Sequence, residues 1–294
     1  MANPSEFTSC SISEQLYSSK YRFLYELVQN ADDSSYRTAK KHGASPFLRF
    51  EITPDTFIVE TNEDGFSRAN IEAICATGKS SKKASQTDDH IGEKGFGFKS
   101  VFSIAEEVHI QSGLWSFRFK HRKGERGLGM VTPLDCEPHV LPRDVTTRIT
   151  LRYSKEARQE YSRLVEAVKD LPHTMILFLQ RLQSIHINIA TMDAHSERTT
   201  LRRTYDASKS RCTIGGSRNL DGTVELFDCE YLIFRDTKSN MPIDQRRKHR
   251  REAKIELAFP IDPVTQQPKL QPMGQHVFAF LPLQRLPQIQ VSDC

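Results

Sequence analysis

The stretch that decides the fold is "YELVQNADD", residues 25–33. Leu27, Val28 and Ala31 recur at the spacing of one helix face. Glu26, Asn30 and Asp33 stand at positions i, i+4 and i+7, so a helix places them together on a second face. The sequence therefore predicts an amphipathic helix with an apolar side for the core and two carboxylates and an amide on the other side.

The polar side of this helix has a definite chemistry. Asn30 offers a neutral amide oxygen, which suits a Mg²⁺ ion that keeps most of its waters and also binds phosphates. Glu26, one turn earlier, is placed to orient or deprotonate a water that attacks a γ-phosphate. From spacing alone, a solvated polar face is the plainer interpretation, so further motifs must decide.

A glycine-rich stretch, "IGEKGFGFKS", follows at residues 91–100. It fits G-x-x-G-x-G, a pattern that by itself is weak evidence for phosphate binding. A kinase would also need a V-A-I-K strand and an H-R-D loop, and neither is present. A dinucleotide fingerprint would need a third glycine and a preceding strand. The "ATGKS" of residues 76–80 lacks the first glycine of a P-loop, since that position is Ala73.

The bulk composition is that of a globular protein. The 294 residues are 37% hydrophobic and 27% charged with a net charge of +4, which suggests two domains or one large one and does not demand nucleic acid. The six cysteines include no C-x-x-C pair, which argues against a zinc site or a disulfide framework. Without a signal peptide or a membrane-length apolar run, we expect an intracellular protein, cytoplasmic or nuclear, with no membrane partner.

The periodicity predicts a layout of alternating helices and strands. Helices are expected over 12–42, over 67–78 with Ser67 as N-cap, around 99–105, and over 155–182 with a break near Pro172. Strands are expected at 47–52 and 56–61, over 107–121, over 146–153 and at 184–190. Residues 79–89 read as a solvated loop. We expect one domain over 1–155, a helical connection over 156–186 and a sheet-rich second domain over 187–294 that is incomplete relative to relatives.

Four ordered motifs carry a family resemblance. "ELVQNADD", "NEDGF", "GKSSK" and "IGEKGFGFKSVF", followed by "TTRITL", stand in the order and at the approximate intervals of the GHKL ATPases. That superfamily joins gyrase, heat-shock chaperones, histidine kinases and MutL. The wording resembles the sacsin-like and NO VEIN-like branch, of a fungal type, strongly over residues 12–153 and weakly to about 283.

The resemblance implies a Bergerat fold, an α/β sandwich in which a helical layer on a mixed sheet binds ATP, followed by a smaller sheet-rich region. It implies Mg²⁺-dependent ATP binding and slow ATP hydrolysis that drives lid closure and domain rearrangement, with a chaperone-like or regulatory role. A protein client and an ATP-dependent homodimer are implied partners. Nucleic acid is a weaker candidate, which rests on the lysines of residues 79–82 and the basic run at 246–254 and not on the resemblance. The alternative is an inactive pseudo-ATPase that acts as a protein-interaction module.

The resemblance also implies a set of site residues. Glu26 resembles the general base, Asn30 the Mg²⁺ ligand and Asp33 the acidic residue near the nucleotide. Thr147 resembles the threonine that supports the adenine. Gly65 and Phe66 resemble the turn after the adenine-site strand. The start of the lid resembles Lys79, Ser80, Ser81 and Lys82. The glycine box and the helix that follows it correspond to Gly92, Gly95, Phe96, Gly97, Phe98 and Ser100.

One departure from the family lies at the adenine side. Where most GHKL proteins have an aspartate, "IVETNEDGF" puts Asn62 nearest that place. A register shift toward Glu63 or Asp64 would restore a carboxylate. Among the basic run at 246–254, Arg246, Arg247 and Lys248 are candidates for a γ-phosphate contact; a solvated helix face or a nuclear import signal is the other interpretation.

Overall fold

The computed structural model describes residues 20–76, 96–121, 127–191, 195–239, 252–269, 275–279 and 281–286. This part of the chain is mixed α/β, with a large mixed sheet and few helices. The α-helices are α1 (Arg22–Asp33), α2 (Arg37–Lys41), α3 (Arg68–Cys75), α4 (Phe96–Lys99), α5 (Lys155–Gln159) and α6 (Tyr161–Lys169). Short 3₁₀ turns occupy Ser100–Ser103, Gly127–Met130, His173–Phe178 and Ala207–Lys209.

Eleven strands form the large sheet, in the order β11-β10-β9-β8-β7-β1-β2-β6-β3-β4-β5. Their bounds are β1 Phe47–Ile52, β2 Thr56–Thr61, β3 Ala105–Ser112, β4 Trp115–Lys120, β5 Leu134–Asp135, β6 Thr147–Tyr153, β7 Ser184–Ala190, β8 Ser196–Asp206, β9 Arg211–Leu220, β10 Thr223–Lys238 and β11 Ala253–Pro260. The β1–β7 pair is parallel and the other pairs are antiparallel. A separate hairpin joins β12 (Gln275–Ala279) to β13 (Leu281–Leu286).

The core lies between the helices and one face of the sheet. Phe23 of α1 meets Phe57 of β2 edge to face, with ring centroids 5.8 Å apart, and both rings are fully buried. Phe50 of β1 packs on the same Phe57 ring at 5.1 Å. Burying each such side chain contributes about 1.5–3 kcal/mol. The Tyr161 hydroxyl at the start of α6 donates to the backbone oxygen of Ala190 and lies 3.4 Å from that of Ile52, which ties this helix over β1 and β7.

Several sequence-based predictions about local structure are confirmed. The strands expected at 47–52 and 56–61 are β1 and β2. Ser67 caps α3 in a capping box, since its hydroxyl accepts from the Asn70 backbone N–H and the Asn70 side chain accepts from the Ser67 N–H at 2.9 Å. The expected stop at Gly78 lies outside the described residues. These features are local, so short windows of sequence were enough to predict them.

Two expectations differ from the structure. The single helix expected over 12–42 ends at Asp33 and restarts at Arg37, because Ser34 is extended and the Asp64 carboxylate accepts the first N–H groups of α2. The sheet is also richer in strands than predicted, because β7–β11 extend the sheet that β1–β6 begin. The three-part domain division stays a prediction, and its boundary at 186/187 falls within β7.

Among the described helices, none combines the length and the apolarity needed to cross a bilayer.

Candidate functional site

An open cavity lies between the helical layer and the sheet. It holds about 780 Å³ of space, a figure that includes its solvent-filled mouth. Helix α1 forms one wall, α3 and the turn before it form the other, and β2 and β6 form the floor. The lining residues are Leu27, Asn30, Ala31, Ser34, Val59, Thr61, Glu63, Phe66, Asn70, Ala73, Ile74, Phe98, Thr147 and Ile149.

A directed chain of hydrogen bonds ends on the Glu63 carboxylate at the floor of this cavity. Thr147 Oγ1 donates to Glu63 Oε1 at 2.7 Å. Since a hydroxyl carries one hydrogen, Ser112 Oγ is the donor in its 2.6 Å contact with Thr147 Oγ1. The backbone N–H of Phe66 donates to Ser112 Oγ at 2.8 Å. Glu63, Thr147 and Ser112 are all buried, so these bonds lie in a low-dielectric region.

The three polar residues at the end of β2 take three different directions. The Asn62 side chain bonds backbone groups, accepting from Phe47 N and donating to Ser45 O, each at 2.9 Å, so it holds the start of β1. Asp64 turns to the start of α2. Only Glu63 of the three lines the cavity. The role of Asn62 in binding a nucleotide base stays a prediction.

A signal for Glu63 was present in the sequence. Val59, Thr61 and Glu63 all line the cavity, as successive residues on one face of an extended chain do. Counting by two from the apolar Val59 predicts Glu63 as the next residue on that face. Ser112 was missed altogether, because its approach depends on the long-range pairing of β3 with β6.

Helix α1 places its three predicted polar residues in three different surroundings. Asn30 lines the cavity, and its backbone oxygen accepts from Ser34 Oγ at 2.9 Å. Glu26 stands one turn earlier, with Oε1 at 3.3 Å from Arg22 Nε and Oε2 close to Gly97. Asp33 faces a smaller cavity behind α1, together with Asp32. Asp33 thus lies away from the main cavity, because α1 presents it toward the chain segment before β7.

The turn after β2 is locked onto the β3–β4 hairpin. Gly65 has a positive φ of 88°, a conformation that side-chain-bearing residues rarely adopt. This turn lets Phe66 bond twice, through its N–H to Ser112 and through its oxygen, which accepts from Trp115 Nε1 at 3.0 Å. Phe66 itself lines the cavity, as expected for this position.

The phosphate-side predictions are described only in part. Phe98 lines the cavity and Gly97 lies against Glu26. Lys79, Ser80, Ser81, Lys82, Gly92, Gly95, the Phe96 side chain and the basic residues 246–248 lie outside the described residues. The functional roles of all these residues stay predictions.

The side chains around the cavity have two chemical characters. Aliphatic groups from α1, α3, β2 and β6, together with the rings of Phe66 and Phe98, make most of the cavity surface apolar. Glu63 supplies one buried acceptor at the floor, and Asn30 supplies an amide at the mouth. Within the described ranges, no group of three or more His, Cys, Asp or Glu side chains is arranged to hold a metal ion.

Comparison with known proteins gives two sets of relatives. Over 189 residues, the chain is 36% identical to Protein NO VEIN of Arabidopsis thaliana, covering 59% of the chain and 7% of that protein. It is 34% identical over 122 residues to the chaperone protein HtpG of Paramagnetospirillum magneticum, covering 34% of the chain and 20% of HtpG. With HtpG of Nitrobacter winogradskyi it shares 31% identity over 173 residues, or 51% of the chain and 27% of HtpG.

The chain thus spans well under a third of the length of each of these relatives. No protein-family model matches the chain. These similarities relate the chain to the GHKL-like proteins.

Proposed function

We propose that the cavity binds ATP with Mg²⁺ and that the chain hydrolyses ATP slowly to drive lid closure and domain rearrangement. The observation that carries the proposal is the buried chain of hydrogen bonds onto Glu63, which sits between apolar walls with Asn30 at the mouth. The relationship to HtpG is consistent with a chaperone-like ATPase family. Binding, hydrolysis and the client are parts of this proposal.

The hydrogen-bond chain favours adenine over guanine. The hydroxyl hydrogens of Thr147 and Ser112 are both directed inside the protein, and the Glu63 oxygen at the end of the chain is an acceptor. The floor of the cavity therefore only accepts hydrogen bonds at this point. Adenine presents an exocyclic amine there, whereas guanine presents a carbonyl oxygen. A carbonyl against a carboxylate leaves both acceptors without a hydrogen, which is costly in a buried site.

The helix α1 supplies the groups proposed for the phosphate side. The Asn30 amide oxygen at the cavity mouth would bind a Mg²⁺ ion that keeps most of its waters and also binds the phosphates. When bound, Mg²⁺ would neutralise charge on the phosphates. Glu26, one helical turn away, would orient the attacking water and accept its proton. Because both residues stand on one rigid helix, their separation is fixed by the backbone.

Finer features of the proposal concern the whole protein. We assign the fold to the Bergerat type and the chain to the NO VEIN-like branch, of a fungal type, with domains at 1–155 and 187–294. An ATP-dependent homodimer, a protein client and a cytoplasmic or nuclear location belong to the same proposal. The support is the order of the motifs and the similarity to Protein NO VEIN over 59% of the chain.

Calorimetric titration tests the base pocket. We expect ATP to bind at least tenfold more tightly than GTP, and Glu63→Gln to weaken ATP binding roughly 10- to 100-fold, because a charged acceptor is replaced by an amide. Glu72→Gln is the matched control, since Glu72 is an exposed α3 residue paired with Arg68. Equal ATP binding by the Glu63 and Glu72 variants, or no heat with any nucleotide, would overturn the proposal.

A phosphate-release assay tests hydrolysis separately. We expect Glu26→Gln to bind Mg²⁺·ATP as the wild type does and to release phosphate on the order of 100-fold more slowly, the loss typical for one general base. Asn30→Ala should weaken binding in Mg²⁺ and change little in EDTA. Tight binding by the wild type without phosphate release would instead identify the pseudo-ATPase interaction module, and unchanged release by Glu26→Gln would remove Glu26 as the base.

A further inference from the structure

Gly97, in the short helix α4, lies directly against the Glu26 carboxylate. A Cβ built on Gly97 would be 2.2 Å from Glu26 Oε2 and 3.0 Å from Glu26 Cδ. Atoms that are not bonded repel strongly at such a separation. Any side chain at position 97 therefore requires the carboxylate of Glu26 to leave its place.

We infer that Gly97 is a positioning residue for Glu26, needed because its missing side chain leaves the space that the carboxylate fills. This requirement is separate from the backbone N–H role expected for a glycine box, which an alanine would keep. The inference rests on the proposed function where it concerns turnover. The packing on which it is built is a property of the folded chain with or without a ligand.

The carboxylate is held from its other side as well. Arg22 Nε donates to Glu26 Oε1 at 3.3 Å, so Oε1 is bonded while Oε2 packs on Gly97. Arg22 is two-thirds exposed, whereas the Glu26 side chain is 19% exposed. A mobile arginine alone fixes a carboxylate poorly, because exposed ion pairs are weak. Beside this weak ion pair, Gly97 leaves the space that Oε2 occupies.

Neither helix is free to move away from this contact. Leu27 and Phe23 anchor α1 in the core with 3% and 0% exposure. Phe98 and Val101 anchor α4 and the following turn with 7% and 0% exposure. An added methyl group at position 97 must therefore be accommodated by rotating Glu26, since shifting the helices would open the core. The expected consequence is a displaced carboxylate in a folded protein.

A double-mutant cycle in thermal unfolding tests the packing without any nucleotide. We expect Gly97→Ala to change Tm less favourably in the wild type and in the isosteric Glu26→Gln background than in the Glu26→Ala background, because only the first two keep the atoms that the new methyl group overlaps. In the Glu26→Ala background the overlapping atoms are gone, and alanine is the better helix former, so Gly97→Ala should leave Tm unchanged or raise it. The same change of Tm in all three backgrounds would overturn the inference.

Kinetics supply the second readout. Gly97→Ala should keep the Kd of Mg²⁺·ATP within about threefold and lower kcat on the order of 100-fold, since a displacement near 1 Å has that effect on a reacting group. A weakened Kd with unchanged kcat would contradict the positioning role and favour a role in phosphate approach. If no nucleotide binds to the wild type, the proposed function fails, and the thermal cycle still decides whether Gly97 makes room for Glu26.

Discussion

Asp64 shows how a single carboxylate can serve the fold instead of a ligand. Its Oδ2 accepts from Ser35 Oγ at 2.7 Å and from the Arg37 N–H at 3.0 Å, and its Oδ1 accepts from the Thr38 N–H at 2.7 Å. Burial alone would raise the pKa of Asp64, but these hydrogen bonds outweigh burial and hold the pKa well below its usual range. The residue therefore stays ionised and caps α2.

The acid dependence of stability should report on this cap. Because the folded-state pKa is depressed, the stability from Asp64 is complete above the ordinary carboxyl pKa near 4 and is lost as pH falls toward the folded value. We expect the Tm difference between wild type and Asp64→Asn to be largest at neutral pH and to shrink below about pH 4. A Tm difference that is constant between pH 7 and pH 3 would contradict this assignment.

At the scale of elements, a buried clamp joins the end of α1 to the segment before β7. The Asp32 carboxylate accepts from the backbone N–H groups of Gln180, Arg181 and Leu182 at 2.8–2.9 Å. In return, the Arg181 guanidinium donates to the backbone oxygens of Asp33 and Ser34. The clamp thus satisfies the last carbonyls of the helix that carries Asn30 and Glu26.

Removing the clamp should be costly for folding. Asp32→Ala leaves the N–H groups of Gln180, Arg181 and Leu182 without this acceptor. Leu182 is buried, and an unsatisfied N–H group there costs about 1–3 kcal/mol. We expect a loss of at least about 1 kcal/mol in the free energy of unfolding by urea titration, and a smaller loss for Asp32→Asn, which keeps one acceptor. Asp55→Ala is the control, because Asp55 is exposed and its ion pair with Arg158 is long, at 3.7 Å. A loss as small as that of the control would refute the clamp.

The elements also show what the sequence could predict. The strands at 47–52 and 56–61 and the cap at Ser67 follow from alternation and from one short motif, and these were predicted correctly. The break after Asp33 depends on Asp64, which lies 31 residues later in the sequence (64 − 33). No local window contains both groups, so the helix was extended too far.

At the scale of the whole molecule, parts of the floor and walls of the cavity could be predicted, and the strand order of the large sheet could not. The residues on α1 and β6 were named from motifs, and Asn30 and Thr147 do line one cavity. The residue chosen from the sequence, Asn62, is one position before Glu63, because Asn62, Glu63 and Asp64 are consecutive polar residues. The joining of β7–β11 to the first sheet depends on pairings across more than a hundred residues, which no periodicity encodes.

The parallel pairing of β1 with β7 also shapes how the chain acquires its structure. Leu48 pairs with Ile185, 137 residues later (185 − 48), so a central strand waits for a distant partner. At about 5–20 residues per second of synthesis, that wait is roughly 7–27 seconds. Such non-local contacts slow folding, and the exposed edge of β1 invites pairing with other chains meanwhile. Helix α1 and the cavity floor are therefore synthesised before β7, the strand that pairs with β1.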